Sequence, residues 1–159
     1  TVKLIFDRGH EIANHGYSHA HMAQIPENKI EEEILLCSRI LEEITGYKTN
    51  LFRPPYGEYS AATIKVAKRL DYQTIQWDVD SLDWKKSMTK DDIYKRVTQK
   101  TTNGSIILFH NDTQHTEEVL PEILENLTSN GFQCVKVSDL LIKDKYKIRY
   151  DGRQIKDEN

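Results

Sequence analysis

The stretch that decides the fold is residues 11–19, Glu-Ile-Ala-Asn-His-Gly-Tyr-Ser-His. Its first four residues are typical of a short strand, and two histidines four positions apart, His15 and His19, follow the end of that strand. At this spacing, on a helical turn or in a tight loop, two imidazoles point the same way and can bind one divalent metal. We therefore expect a metal site just past a strand end.

Three further polar clusters follow strand-like runs. Leu51-Phe52 precedes residues 53–57 (Arg-Pro-Pro-Tyr-Gly), residues 72–77 precede residues 78–84 (Asp-Val-Asp-Ser-Leu-Asp-Trp), and residues 105–109 precede residues 110–112 (His-Asn-Asp). Reactive side chains that follow several strand ends are typical of the active site of a βα-barrel.

Helices and strands alternate along the chain, which predicts an α/β fold with a mostly parallel sheet. The first predicted helix ends near residue 9, and the others span residues 27–45, 61–70, 90–101, 116–129 and 138–142. Pro121 is expected to move the start of the helix at 116–129 to a later residue. We expect a strand at 132–137 and either a hairpin or a loose tail at 146–152. About five strands are too few for a full barrel of roughly 250 residues, so the predicted architecture is a distorted, incomplete (β/α) barrel with fewer than eight units.

The length of 159 residues indicates a single domain. A hydrophobic share of 38% and a charged share of 30% are normal for a soluble globular protein. A net charge of −3 argues against a nucleic-acid-binding surface. No apolar run approaches the roughly 18 residues that a membrane span needs. We interpret Cys37 and Cys134 as buried free thiols.

Each polar cluster also has a purely structural interpretation. His15 and His19 would then be surface histidines beside a turn, residues 53–57 a rigid turn, residues 80–84 an acidic loop, and His110 a satisfied residue at the rim of the core. We interpret the remaining histidines as solvated bystanders: His10, His21 and His115.

Taken together and in order, these segments resemble four motifs of the NodB-homology polysaccharide deacetylases, carbohydrate esterase family 4. His15 to His19 is similar to the second motif, and residues 53–57 match the third, Arg-Pro-Pro-Tyr-Gly, letter for letter. Residues 80–84 match the fourth, Asp-x-x-Asp-Trp, and residues 108–110 the fifth, Leu-x-His. The resemblance covers residues 1–142, and residues 143–159 are expected to form a polar extension or hairpin.

The resemblance implies a role for each reactive side chain. His15 and His19 would bind the metal, usually Zn²⁺, with Co²⁺ or Ni²⁺ as alternatives. His110 would be the general acid that protonates the leaving amine, and Asp83 would hydrogen-bond it and favour its protonated form. Arg53 would orient the catalytic base.

The same resemblance implies residues that contact the substrate. The backbone N–H of Tyr56 would help to hold the oxyanion, and Trp84 and Leu108 would form the groove that receives the acetyl methyl group. Pro54 and the Tyr56 side chain would also contact the polysaccharide.

Two departures from the family pattern affect these expectations. Asn111 stands where the fifth motif often has an aspartate. The first motif, Thr-Phe-Asp-Asp-Gly, is missing. Residues 6–9 (Phe-Asp-Arg-Gly) are partly similar to it, but we reject this match because they lie directly before the histidines, where the family has a helix end. We therefore expect the N-terminal strands of the barrel to be missing. We also expect an upstream segment or a separate chain to supply the base and the third ligand, and residues 1–159 alone to be inactive.

The expected function is metal-dependent removal of N-acetyl groups from the amino sugars of a polysaccharide. Peptidoglycan is favoured, through its N-acetylglucosamine or N-acetylmuramic acid, which predicts an exported or surface-anchored enzyme at the cell wall. One alternative is a catalytically inactive deacetylase-like module that binds glycan. A weaker alternative is an unrelated metal-dependent amidohydrolase.

Overall fold

The structure, a computed structural model, describes residues 1–149 and 153–157. It confirms an α/β chain, which divides into two compact units, Thr1–Gln76 and Trp77–Asn159. We refer to these as the N-terminal unit and the C-terminal unit and describe each separately. No helix in the described ranges is both long enough and apolar enough to span a membrane.

The N-terminal unit packs helices against a short parallel strand pair. Its elements are α1 (Val2–Asp7), α2 (Glu27–Thr45), β1 (Leu51–Phe52), a 3₁₀ turn (Pro55–Gly57), α3 (Ala61–Arg69) and β2 (Gln73–Thr74). Strands β1 and β2 are parallel, and Asn14 forms an isolated parallel bridge to Phe52 on β1. The predicted strand at residues 11–14 is therefore reduced to a single bridging residue.

The C-terminal unit has the same parallel arrangement and an added hairpin. Its elements are β3 (Val79–Asp80), α4 (Lys90–Lys100), β4 (Ile107–Leu108), α5 (Thr116–Ser129), α6 (Val137–Leu140), β5 (Tyr146–Ile148) and β6 (Gln154–Lys156). Strands β3 and β4 are parallel, whereas β5 and β6 are antiparallel. The C-terminal extension thus contains an antiparallel strand pair, and residues 150–152, where the predicted turn falls, lie outside the described residues.

Local end signals explain where the helices begin and end. Ser60 and Thr89 each form a reciprocal capping box with the side chain three residues later, which satisfies N–H groups at the starts of α3 and α4. Gly46 ends α2 in the left-handed region, with φ at 70°. These boundaries agree with the predicted ones to within a residue.

Each unit has its own apolar core, in which every fully buried large side chain contributes about 1.5–3 kcal/mol. The buried cluster of the N-terminal unit comprises Met22, Ile30, Ile34, Phe52, Val66, Ala67 and Tyr72. The buried cluster of the C-terminal unit comprises Ile93, Val97, Val119, Ile123 and Leu127. Both clusters pack amphipathic helices beside strand ends, so the loops after the strands are held by a rigid base.

Three sequence predictions are wrong. Helix α5 begins at Thr116 and contains Pro121, which does not move the start later. Residues 132–137 are not a strand, because they pair with none of the described strands. Val135 is 47% exposed, and Phe132 alone of this run packs against the core. Cys134 is consequently exposed, and Cys37 is half-buried.

The described strands form three separate two-stranded sheets and no closed barrel.

Asn14 is a fully buried polar residue that joins three parts of the N-terminal unit. Its side-chain amide donates to the Ile34 carbonyl and to Ser38 Oγ on α2, both at 2.8 Å, while its Oδ1 accepts from the Gly16 N–H at 2.9 Å. Its backbone N–H donates to Leu51, and its carbonyl accepts from Arg53, also at 2.9 Å. Asn14 thus fixes the histidine loop to both a helix and a strand.

We expect Asn14→Ala in the intact protein to lower the free energy of unfolding by about 2–4 kcal/mol, because it leaves buried partners unsatisfied. Urea unfolding measures this change. Asn28→Ala, at an exposed position on α2, is the matched control and should shift stability by less than about 0.5 kcal/mol. Equal effects of the two substitutions would contradict the role given to Asn14.

Candidate active site

The loop that carries the two histidines is held by close packing and by a carboxylate. Gly16 has φ at +78°, and a Cβ there would lie 2.9 Å from Met22 Cε, so the position favours glycine. Glu33 on α2 accepts hydrogen bonds from the Ser18 N–H at 2.7 Å and from its hydroxyl at 2.6 Å. The loop is therefore fixed to the same helix that holds Asn14.

His15 and His19 lie side by side in this loop, with their ring centroids 5.0 Å apart. The Nδ1 atom of His15 lies 2.5 Å from the carbonyl oxygen of Arg53. Since a carbonyl only accepts, Nδ1 carries the proton and Nε2 carries the lone pair, which is the arrangement usual for a metal-binding histidine. Two rings at this separation can reach one ion through bonds of about 2.0–2.1 Å.

The residues present satisfy part of a metal site. Within residues 1–149 and 153–157, no three His, Cys, Asp or Glu side chains are grouped so that they could hold a metal ion. Catalytic zinc sites usually have three protein ligands, and the two imidazoles account for two of these. The pair therefore fits a metal incompletely.

The segment Arg53–Gly57 forms a rigid turn, as its two prolines predict. Pro54 and Pro55 are buried, and Tyr56 occupies the left-handed region with φ at 58°. Gln76 Nε2 supports the turn by donating to the Gly57 carbonyl at 2.8 Å. The Tyr56 N–H has no hydrogen-bond acceptor among the described residues. At the start of the same turn, burial lowers the pKa of the Arg53 guanidinium.

His21, which the sequence indicated to be a bystander, contacts this turn. Its ring stacks on the Tyr56 ring, with the centroids 4.0 Å apart and the planes 5° from parallel. Its Nδ1 lies 2.9 Å from Glu58 Oε2. The interpretation of His21 as a solvated bystander is therefore incomplete. Its position two residues after His19 was the sequence feature that could have suggested a place in the site.

In the C-terminal unit, Asp83 is a buried carboxylate, only 4% exposed, that holds His110. Its Oδ1 lies 2.8 Å from His110 Nδ1, and its Oδ2 accepts the His110 backbone N–H at 3.0 Å. The hydroxyl of Thr116 donates to the same Oδ2 at 2.6 Å. The sequence predicted the pairing of Asp83 with His110 but missed Thr116, which it showed only as the start of a helix.

The ionisation of Asp83 is set by competing effects. Burial acts to raise its pKa, but hydrogen bonds from the His110 backbone, Thr116, the His110 ring and Ser81 together outweigh burial and lower the pKa from its ordinary value. Asp83 is therefore a carboxylate at neutral pH. It accepts the Nδ1 proton of His110, so the Nε2 atom of His110 is the one that can exchange a proton with another molecule.

The two predicted groove residues of this unit differ in exposure. Trp84 is 54% exposed, with its ring centroid 6.4 Å from that of His110, edge on, and Lys85 Nζ lies 5.3 Å from the Trp84 ring. Leu108 is buried in β4, one residue before Phe109, which packs against the core. Trp84 thus presents a surface beside His110.

Two other aspartates near the fourth motif have structural partners. Asp78 accepts from the Ser105 hydroxyl at 2.9 Å, from the Ile106 N–H at 2.8 Å and from Arg153 of the hairpin at 2.6 Å. Asp80 Oδ1 accepts from the Leu82 N–H at 2.9 Å. Both carboxylates shape the loops around Asp83.

We expect Asp83→Asn to lower the free energy of unfolding at pH 7. The pKa of Asp83 is lowered by folding, so its contribution is complete above the unfolded-state pKa of about 3.9 and is lost as the pH falls through the folded-state value. The deficit of the variant should therefore shrink below about pH 4. Urea unfolding from pH 7 to pH 2 measures it, with Asp71→Asn, at an exposed carboxylate, as the control. A deficit that does not change with pH would contradict the assignment.

Comparison with known proteins relates this geometry to a family. A family model described as polysaccharide deacetylase matches residues 1–75. A peptidoglycan-N-acetylglucosamine deacetylase of Bacillus cereus is 33% identical over 143 residues, which are 87% of this chain and 52% of that protein. A second protein of that name from Bacillus cereus is 34% identical, over 88% of this chain and 67% of its own length.

A solved structure is also similar. The crystal structure of a CE4 family pseudoenzyme from Bacillus anthracis matches with a TM-score of 0.83 and 31% identity, over 87% of this chain and 49% of that one. The chain spans about half the length of the curated relatives it matches. The predicted resemblance is confirmed: the chain belongs to the polysaccharide deacetylase family, carbohydrate esterase family 4.

Proposed function

We propose that the protein containing this chain removes N-acetyl groups from the amino sugars of peptidoglycan by metal-dependent amide hydrolysis. The N-acetylglucosamine or N-acetylmuramic acid units are the proposed substrates. The observation that supports this most directly is the buried Asp83 carboxylate 2.8 Å from His110 Nδ1. The names of the Bacillus cereus relatives support the choice of polymer.

His110 is proposed as the general acid. Amide hydrolysis expels an amine, which is a poor leaving group unless it is protonated as the C–N bond breaks. With its Nδ1–H directed to Asp83, His110 carries its second proton on Nε2 and can give that proton to the amine nitrogen. Asp83, which stays ionised, accepts the Nδ1–H of His110 and fixes the orientation of the ring.

His15 and His19 are proposed to hold Zn²⁺, or Co²⁺ or Ni²⁺ in its place. When bound, such a metal supplies a Lewis acid that polarises the acetyl carbonyl and lowers the pKa of water. The Tyr56 N–H is proposed to donate to the oxyanion that forms on that carbonyl. Arg53, partly buried beside the loop that carries the histidines, is proposed to orient the catalytic base.

The base and the third ligand are proposed to be aspartates from outside residues 1–159, on the same polypeptide or on a separate chain. In the intact domain we propose that the short parallel strands belong to an incomplete (β/α) barrel, in which Trp84 and Leu108 border the acetyl pocket. Pro54 and Tyr56 are proposed to contact the sugar. Such an enzyme would act at the cell wall, as an exported or surface-anchored protein.

A second candidate function is a catalytically inactive module that binds glycan. It is favoured by the absence of a three-ligand group within the described ranges, and one similar structure is called a pseudoenzyme. Zinc binding measured together with acetate release from an N-acetylglucosamine oligomer separates the two candidates. Binding of the oligomer without acetate release, in the intact protein loaded with zinc, would support the inactive module.

We expect His19→Ala in the intact protein to abolish stoichiometric zinc binding and acetate release, because it removes one of the two proposed imidazole ligands. Calorimetric titration with zinc and metal analysis of the dialysed protein measure the change. His10→Ala, at an exposed histidine outside the site, should retain the metal. Full zinc occupancy with full turnover in His19→Ala would refute the metal assignment.

We expect His110→Ala to lower kcat by about 10²–10⁴-fold, which is the usual contribution of a general acid. Zinc affinity should be unchanged, because the substitution leaves both proposed ligands in place. Steady-state kinetics with the zinc-loaded protein give kcat, and the titration above gives the affinity. Loss of zinc with unchanged kcat per bound metal would instead identify His110 as a ligand.

A further inference from the structure

The carboxylate that holds His110 is itself held by two threonine hydroxyls in series. Thr113 Oγ donates to Thr116 Oγ at 2.5 Å, and Thr116 Oγ donates to Asp83 Oδ2 at 2.6 Å. Asp83 in turn lies 2.8 Å from His110 Nδ1. These contacts form one continuous hydrogen-bonded chain from the start of α5 to the imidazole.

The direction of each bond in this chain follows from the chemistry of the groups. An ionised carboxylate can only accept, so the single proton of the Thr116 hydroxyl is committed to Asp83. The remaining lone pairs of that hydroxyl then accept the proton of Thr113. A hydrogen bond to a charged acceptor is stronger than a neutral one, and a donor that itself accepts a hydrogen bond is polarised further.

Thr116 also restricts the orientation of the Asp83 carboxylate. Oδ2 accepts from both the His110 backbone and Thr116, which leaves Oδ1 directed at the imidazole. Rotation of the carboxylate would break two bonds to fixed groups, one on the loop after β4 and one on α5. The Asp83 side chain is fully buried, so water cannot replace the lost donors.

We infer that Thr116, supported by Thr113, is a positioning residue for the proposed general acid: its hydroxyl fixes Asp83 so that Oδ1 holds the Nδ1 proton of His110 and Nε2 points to the substrate. This inference rests on the proposed function for its kinetic consequence and on the hydrogen-bonded chain alone for its spectroscopic one. Thr116 does not contact the substrate. It acts through Asp83.

The test compares Thr116→Val, which removes the hydroxyl but keeps the shape, with Thr116→Ser, which restores the hydroxyl. Thr128→Val is the matched control, because Thr128 lies on the same helix and its hydroxyl donates only to backbone carbonyls of that helix. Each variant is made in the intact protein. Nitrogen NMR of the labelled histidines reports the Nδ1–H resonance of His110, and steady-state kinetics report kcat and KM.

We expect Thr116→Val to shift the His110 Nδ1–H resonance and to lower kcat about tenfold, with little change in KM. A tenfold fall corresponds to the loss of one hydrogen bond to a charged group. Thr116→Ser should restore both values, Thr113→Val should give a smaller change in the same direction, and Thr128→Val should give none. Zinc content should be constant throughout.

Two outcomes would overturn the inference. One is an unshifted His110 resonance in folded Thr116→Val. The other is an equal shift in Thr128→Val. If Thr116→Val does not fold, the comparison of Thr113→Val with Thr128→Val decides the question by the same resonance. If the wild-type protein releases no acetate, the proposed function fails, while the resonance still tests the chain of hydrogen bonds.

Discussion

The N-terminal unit depends on one buried amide, the side chain of Asn14. A buried polar group is costly unless it is hydrogen-bonded. The Asn14 side chain is hydrogen-bonded to α2 and to the Gly16 N–H, and its backbone N–H is hydrogen-bonded to β1. Through Ser38 the same network extends to the hydroxyl of Tyr72, at 2.5 Å. The position of the two histidines is thus a consequence of satisfying a buried side chain.

The C-terminal unit is organised around a buried carboxylate in a comparable way. The Asp83 carboxylate accepts hydrogen bonds from the loop after β4 and from α5. The same hydrogen bonds keep this carboxylate ionised and hold it in position. In both units, hydrogen bonds to these buried groups hold the loops that carry the reactive side chains. Apolar packing builds the base, and fully satisfied buried polar groups fix the loops above it, which is the division expected where orientation matters more than stability.

The sequence predicted the parts of the fold that depend on local physics. The boundaries of α2, α3 and α4 follow from capping residues and from a terminal glycine, which act within a few positions of the chain. The strand predicted at 132–137 is wrong, because strand formation depends on a partner that no local pattern reveals. For the site, the reactive pair Asp83 and His110 could be predicted from motifs, but Thr116 and the stacking of His21 on Tyr56 depend on tertiary contacts between segments far apart in sequence.

Left-handed backbone at residues other than glycine recurs in the loops that carry the motifs. His19, Tyr56, Leu82 and Asp112 all have φ between 53° and 58°. Each such residue costs roughly 1–2 kcal/mol relative to ordinary backbone, a substantial fraction of the 5–15 kcal/mol by which a domain is usually stable. The chain therefore holds strain in its motif loops, and the buried polar networks beneath them offset it. A protein built this way exchanges thermal stability for loops whose shape is already set before any ligand arrives.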